Sequence, residues 1–424
     1  MKRRDFFKTA ATGTLSLALL KQSRATAVDT LAGELLKNDY HEEAFWKFVR
    51  RQFLLPEDYA YFNTGGLGAS PTLVLDSVEE KMRRREIKPA PGIDHHEWEI
   101  AKAKVADLFG AGPDEIALTN TTTEGNNIVI NGLPLKRGDE IITSTHEHVG
   151  LSIPLLNKME RDGVVVKTFE PDMENGPGNV DRIEKLITPR TRLIFVSHIT
   201  CTTGQRMPAK EICELAKVKR IWTAFDGAQV VGNLPIDVKD YGCDFYTTSG
   251  HKWMIGPKRT GALYVRKEML DVCRPVTVGA YSTRANDLKE GKIEMHPTAQ
   301  RYEYATQNDA LYVGLGVAID FLNQIGMQRV WAHNRHLAEM TVKGLKDIPS
   351  VELLSPQQEA YRTSLITFKP KRKLYNNVSS ELTQRGFRVR TVSEADLGGV
   401  RVSHHLYNNQ TEVENLLQMI ENVT

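Results

Sequence analysis

Cysteine is scarce in this chain: Cys201, Cys213, Cys243 and Cys273 are the four among 424 residues. They are too few for a disulfide framework and no metal-ligand spacing joins them, so free, mostly buried thiols are expected. No run of about 18 apolar residues occurs, which leaves no candidate for a mature membrane-spanning helix. The net charge is only +2, which gives no electrostatic footprint for nucleic acid. Internal repeats, low-complexity segments and flexible linkers are missing as well. What remains is 41% hydrophobic and 25% charged, an ordinary globular composition long enough for one large domain and a smaller one.

The first residues have a different texture. Lys2-Arg3-Arg4-Asp5-Phe6-Phe7-Lys8 precedes a mildly apolar stretch, Thr9 to Leu20, and a small-x-small end at Ala25-Thr26-Ala27. A basic start, a short apolar core and a small-residue end describe an export signal. The paired arginines before Phe6-Phe7-Lys8 resemble the twin-arginine type. The expectation is a signal over residues 1–27, cleaved after Ala27 and handled by the twin-arginine translocation machinery. That leaves a periplasmic or otherwise extracytoplasmic protein. A basic leader on a cytoplasmic protein is the competing reading.

Downstream, residues 38–51 read as a charged amphipathic helix. Tyr59 to Phe62 read as a short strand that breaks into the glycine-rich loop Asn63-Thr64-Gly65-Gly66-Leu67-Gly68. Apolar spacing is helical over 94–110. Short β-branched runs then alternate with helical segments, at 115–119, 140–145, 164–169, 192–197, 221–225, 244–248 and 262–265. This alternation predicts an α/β fold with a mostly parallel seven-stranded sheet covered on both faces. Ligands of such sheets sit at the carboxyl ends of the strands. From Asp309 the texture changes to long helices at 311–325 and 330–348. Shorter α+β material follows, with strands at 364–369 and 399–403 and a closing helix at 411–420. The charged patch 81–88 reads as a solvated helix face.

The chemistry-bearing residues fall at strand ends. Lys252 lies in Ser249-Gly250-His251-Lys252-Trp253, just after the 244–248 run, and Asp226 ends the 221–225 run. An amine and a carboxylate so placed suit pyridoxal 5'-phosphate. The amine forms a Schiff base with the aldehyde, and the acid keeps the pyridine nitrogen protonated so that the ring is an electron sink. Taken alone, either residue reads equally well as a surface lysine or a helix cap. Gln229, in Asp226-Gly227-Ala228-Gln229, is placed to reach a ring hydroxyl. Thr121, Thr122 and Thr123 precede Glu124 at a helix start. They suit an N-cap at Thr121 with Glu124 as its capping-box partner, or a phosphate held by free N–H groups and hydroxyls, and both can hold at once. In Thr145-His146-Glu147-His148 no third ligand cluster accompanies the histidines, so no metal is expected. A flat imidazole over a cofactor ring is the more economical use. Arg401 offers a fork for a carboxylate, or half of a surface ion pair.

Taken together, Ser249 to Lys258, Asp226 to Gln229, Thr122 to Gly125 and Arg401-Val402-Ser403-His404-His405-Leu406-Tyr407-Asn408 resemble the class V aminotransferases. These are fold type I pyridoxal phosphate enzymes, and the likeness is to their isopenicillin N epimerase-like branch. It runs from Tyr59 to the end. It implies an N-terminal segment, 28–75, that packs on the small domain and lines the active site, a large cofactor domain over 76–308, and a small α+β domain over 309–424. It implies Lys252 as the Schiff-base lysine and proton shuttle, Asp226 on the pyridine nitrogen, Gln229 on the ring hydroxyl and His148 stacked on the ring. Thr122, Thr123, Ser249 and His251 would form the phosphate cup. Thr306 would reach the phosphate of a neighbouring subunit, in a homodimer with shared sites. Arg401 would clamp the substrate carboxylate, with Asn63 and Thr64 walling the pocket.

Two positions depart from the pattern. Arg259 stands where relatives often carry glycine, placed to contact an acidic substrate group or close the entrance. Cys201 stands where they have serine or asparagine near the ring. Cysteine desulfurase relatives need a mobile thiol shortly before the clamp arginine, and residues 385–400 hold no cysteine, so that activity is not expected. The resemblance therefore implies an enzyme acting on an amino acid or an amino-bearing peptide or secondary metabolite, and the leader adds that it is exported. Aminotransferase-type chemistry comes first, with epimerisation or β-elimination as alternatives. The rival from another class is a binding or scaffold protein that keeps the fold without the chemistry.

Overall fold

The computed structural model describes residues 43–424. The export-signal reading and the first residues of the expected 38–51 helix lie outside them. The described chain opens with α1 (Glu43–Arg50), β1 (Ala60–Tyr61), α2 (Thr72–Ile87) and α3 (His95–Phe109). Strands and helices then alternate: β2 (Ile116–Thr119), α4 (Thr122–Gly132), β3 (Glu140–Ser144), α5 (Val149–Asp162), β4 (Val165–Phe169) and α6 (Gly178–Leu186). The series continues with β5 (Thr191–Ser197), α7 (Ala209–Lys219), β6 (Trp222–Asp226), α8 (Val238–Tyr241), β7 (Phe245–Ser249) and β8 (Gly261–Val265).

All seven expected strand runs form, with ends displaced by no more than one residue. They join one sheet in the order β2-β8-β7-β6-β5-β3-β4. β8 runs antiparallel to both neighbours and every other pair is parallel. β2, β3, β7 and β8 are buried along their whole length. A sheet covered on two faces demands that, and apolar residues extended by threonine and serine toward the carboxyl ends supply it.

A surface hairpin, β9 (Thr283–Asp287) and β10 (Lys292–Met295), leads to α9 (Asp309–Ile325) and α10 (Met327–Lys346). The remainder is β11 (Val351–Leu353), β12 (Leu365–Pro370), α11 (Tyr375–Gln384), β13 (Phe387–Arg388), β14 (Arg390–Val392), β15 (Gly399–Ser403) and α12 (Gln410–Val423). β11-β12-β15-β14 form an antiparallel sheet. Its core joins Ile366, Phe368, Val400 and Val402 to Leu337, Val342 and Leu416 of the helices. No single described helix is long and apolar enough to cross a membrane.

Two expectations change here. The sequence texture placed α9 in the small domain. Its Tyr312, Leu315 and Ile319 instead share a core with Trp98, Val105 and Phe109, and its Phe321 and Leu322 meet Phe45, Trp46 and Phe53. A helix apolar around most of its circumference is buried from several sides. Apart from Ala60 and Phe62 of the N-terminal segment, the small-domain core begins with Leu337. The second change concerns Lys81, the first residue of the patch read as solvated. It is buried, with its amine 2.8 Å from Asp94 and 3.8 Å from Asp309.

The segment before α2 crosses both domains. β1 pairs with β13, and Asn63 bridges Ser403 of β15. Gly65 O then accepts from Gln229 at 2.9 Å, and Gly68 N–H donates to His251 O at 2.7 Å. A Cβ at position 68 would lie 2.0 Å from Lys252 O, so only glycine lets this strap lie flat on the lysine loop.

Buried histidines mark the seam between the strap, the lysine loop and the small domain. His405 reaches Trp253 O at 2.9 Å, His404 meets Thr341 at 2.7 Å, and His333 stacks on Trp46 with 3.6 Å between ring centres. Burial lowers His404 to about 4 and His333 and His405 to about 3. As pH falls below 6.5 the unfolded chain takes up protons that these folded imidazoles refuse, so stability drops. The thermal midpoint is expected to fall steadily from pH 6.5 to pH 5, above the range where most carboxylates titrate. A flat midpoint across that window would contradict it.

Candidate active site

The expected residues converge on one cavity of about 200 Å³ at the carboxyl ends of β5, β6 and β7. Its walls include Thr122, Thr123, His148, Asp226, Gln229, Ser249, His251, Lys252 and Arg401, joined by Gly65, Gly66, Cys201 and Arg390. A larger groove of about 640 Å³, lined by Trp46, Arg329, His333 and His336, shares none of them.

The Lys252 amine makes no hydrogen bond or ion pair among the described residues. Burial pushes its amine below the usual lysine value, against the pull of the Asp226 charge. Asp226 is the last residue of β6 and lies in register with Ser197 and Thr247. Its Oδ1 accepts from Ala228 N–H and its Oδ2 from Asn126, each at 3.0 Å. Asn126 is fixed in turn by Thr247, at 2.7 Å. The acid is therefore held by its own sheet and by α4.

At the other end of the cavity, α4 begins. Thr121 caps it by accepting from Glu124 N–H at 3.2 Å. Glu124 reaches one residue further back than a capping box requires, to Asn120 N–H at 2.6 Å. Ser249 Oγ meets Thr122 N–H at 3.0 Å and Thr122 Oγ1 at 2.7 Å. Nearby, His251 Nδ1 is buried without a hydrogen-bond partner, and burial with the Lys252 charge lowers this imidazole to about 4. A helix start, two hydroxyls and an unsatisfied ring nitrogen form a cradle for an anion.

His148 sits at the N-cap of α5, where its Nδ1 accepts from Gly150 N–H at 3.0 Å. Burial and the Lys252 charge lower its pKa, which leaves a neutral, flat ring on the cavity wall. Beside it, Glu147 is buried among Ser144 Oγ at 2.6 Å and Ser197 Oγ at 2.5 Å. Burial raises its carboxyl to about 7. His146 is spent on Glu170 and Thr202.

Arg401 is the largest electrostatic anomaly. It is 1% exposed, and among the described residues no carboxylate stands within ion-pair distance. It donates to Cys201 O and, at 3.3 Å, to Asn63 Oδ1, while its Nε has no partner. Burial lowers it to about 9. An uncompensated buried charge costs several kcal/mol, a cost that an incoming carboxylate would offset. Cys201 lines the cavity with its thiol pushed up to about 11 by burial, and all four cysteines are free and buried.

Other expectations need adjustment. Gln229 faces the cavity, but its Oε1 accepts from Trp253 at 2.8 Å and its Nε2 donates to Gly65 O. It ties the strap to the lysine loop and keeps one N–H for a ligand. Arg259 is exposed and does not line the cavity. It occupies a left-handed turn, φ 63°, before β8, a conformation that explains why glycine suits the position. Thr306 is also exposed and outside this chain's cavity. Thr64 is buried against Tyr407 rather than against the cavity. Asn126 and Arg390 went unread in the sequence.

The profile of the class V aminotransferase family matches residues 84–416. The chain belongs to that family. A class V chain with this sheet order has the fold type I architecture. A probable cysteine desulfurase of Pyrococcus abyssi is 28% identical over 390 residues, covering 88% of this chain and 96% of that protein. The isopenicillin N epimerase of Streptomyces clavuligerus is also 28% identical, covering 90% and 99%. Among solved structures, the cystine C–S lyase C-DES with its product cysteine persulfide superposes with a TM-score of 0.81 and 26% identity, covering 87% and 98%. A lysine variant of C-DES, with glycine covalently linked to its PLP cofactor, gives 0.82 and 26%, covering 88% and 99%.

Proposed function

We propose that this class V protein binds pyridoxal 5'-phosphate and removes the Cα proton of an amino acid with Lys252. The observation that carries the reading is the shared cavity, in which an unpaired lysine, a strand-end aspartate and a buried arginine without a carboxylate partner face one another. The residues fit the cofactor. The start of α4 with Thr122, Thr123, Ser249 and His251 would hold the phosphate, Asp226 the ring nitrogen and His148 the ring face. Bound there, the cofactor supplies an aldehyde carbon for amines and a pyridinium that disperses negative charge from Cα.

The chain does the rest. Arg401, braced by Asn63, takes the substrate carboxylate in its fork and so fixes how Cα presents its hydrogen. Lys252 accepts that proton, and burial, which lowers its pKa, favours the free amine that this role needs. Cys201, protonated and buried, takes no proton at neutral pH.

For the step after proton removal, the likeness to a cystine C–S lyase supports expulsion of a β-substituent. Desulfuration by a protein thiol is not supported, since residues 385–400 lack cysteine. Transamination is the second reading, supported by the family description. Holoenzyme given cystine or another β-substituted amino acid is expected to release pyruvate and ammonia while keeping its cofactor colour. Conversion of the cofactor to its amine form, with one equivalent of keto acid, would mark transamination instead.

Two expectations extend the proposal. Thr306, exposed in the single chain, suits a homodimer in which it reaches the partner's phosphate. The leader motif suits twin-arginine export, and replacing Arg3 and Arg4 by lysine is expected to retain the precursor in the cytoplasm. Unchanged fractionation of the double variant would remove export by that route.

A further inference from the structure

The substrate end of the cavity holds a feature that this chemistry leaves unused. Arg390 of β14 lines the cavity, and in the antiparallel pair it stands directly opposite Arg401 of β15. Like charges facing one another across strands destabilise a sheet. Arg390 also contributes to lowering Arg401, Lys252 and His148, so its charge is felt throughout the site. Against three cations, Asp226 is the only anion lining the cavity among the described residues, and it is committed to the opposite end.

The repulsion is relieved by Glu394, whose two oxygens meet both terminal nitrogens of Arg390, Oε2 at 3.4 Å and Oε1 closer. Burial raises Glu394, but the Arg390 contact outweighs it and the carboxyl stays ionised. The turn that delivers Glu394 is strained: Ala395 and Asp396 have φ of 52° and 55°, a region that residues with a Cβ avoid. A glutamate brought in on a strained turn is an internal acid filling a fork built for one.

We infer that the substrate is an amino dicarboxylic acid, and that its second carboxylate takes the Arg390 fork in exchange for Glu394. The inference rests on the reading of Arg401 as holder of the α-carboxylate.

Calorimetric titration of holoenzyme with amino acids methylated at Cα, which have no proton to lose, reads binding without turnover. 2-Methylaspartate or 2-methylglutamate is expected to bind about tenfold or more tighter than 2-aminoisobutyrate. Arg390→Gln should bring that ratio near one. Glu394→Gln, which removes the competing charge, should raise it several-fold above wild type. Equal binding of acidic and neutral ligands by wild type, or an unchanged ratio in Arg390→Gln, would overturn the inference. A ratio in Glu394→Gln at or below wild type would overturn the exchange, even if Arg390→Gln failed to fold. Binding of neither ligand class would defeat the amino-acid reading itself, and the inference with it.

Discussion

Lys252→Ala is expected to abolish covalent attachment of the cofactor and to lower turnover by about 10⁴-fold or more. Among the described residues no other lysine lines the cavity, and Lys258, six residues on, is exposed. His148 keeps its place at the start of α5 but is tied to Gly150 through Nδ1, so it offers no second amine. Trp253, Gly68 and Gln229 hold the loop through backbone and indole contacts that do not involve the lysine side chain. The variant should therefore fold and still take up the cofactor without a covalent bond. Absorbance of the purified variant and turnover measured on the same sample check both halves. Turnover within about tenfold of wild type would show that another group removes the proton.

Asp226→Asn is expected to keep the covalent attachment and to lose about 10²- to 10³-fold in kcat. Both carboxylate oxygens already accept, one from Ala228 N–H and one from Asn126, and the remaining lone pairs are what a protonated ring nitrogen would use. An asparagine must turn its NH₂ toward one of those donors or toward the ring, so it opposes a donor or fails to hold the ring proton. The loss should therefore appear in kcat, with cofactor colour retained. A kcat within about threefold of wild type would remove Asp226 from the chemistry.

The sequence discloses those two residues because Asp226 ends one strand run and Lys252 stands on the loop just after another, and strand ends are where open α/β sheets gather ligands. The seven runs were legible because short β-branched stretches alternate with helical segments. Asn126 was not: it is one polar residue on a helix, and its contact with Asp226 spans 100 positions. Arg390 was hidden for the same reason, since only the pairing of β14 with β15 sets it beside Arg401. Arg259, read as a contact for an acidic substrate group, is exposed and lies outside this chain's cavity. Gln229 was read as free for the ring, yet two tertiary contacts invisible in a linear reading claim most of its amide. α9 was assigned to the wrong neighbour because an apolar helix does not announce which core it will enter.

The central claim is that Lys252 holds the cofactor covalently at the foot of this cavity. Borohydride reduction of protein supplied with pyridoxal phosphate, followed by proteolysis and mass spectrometry, tests it directly. The account predicts a stable cofactor adduct on the peptide that contains Lys252 and on no other lysine peptide in comparable yield. Absence of the adduct from that peptide, or its equal spread over surface lysines, would contradict the account.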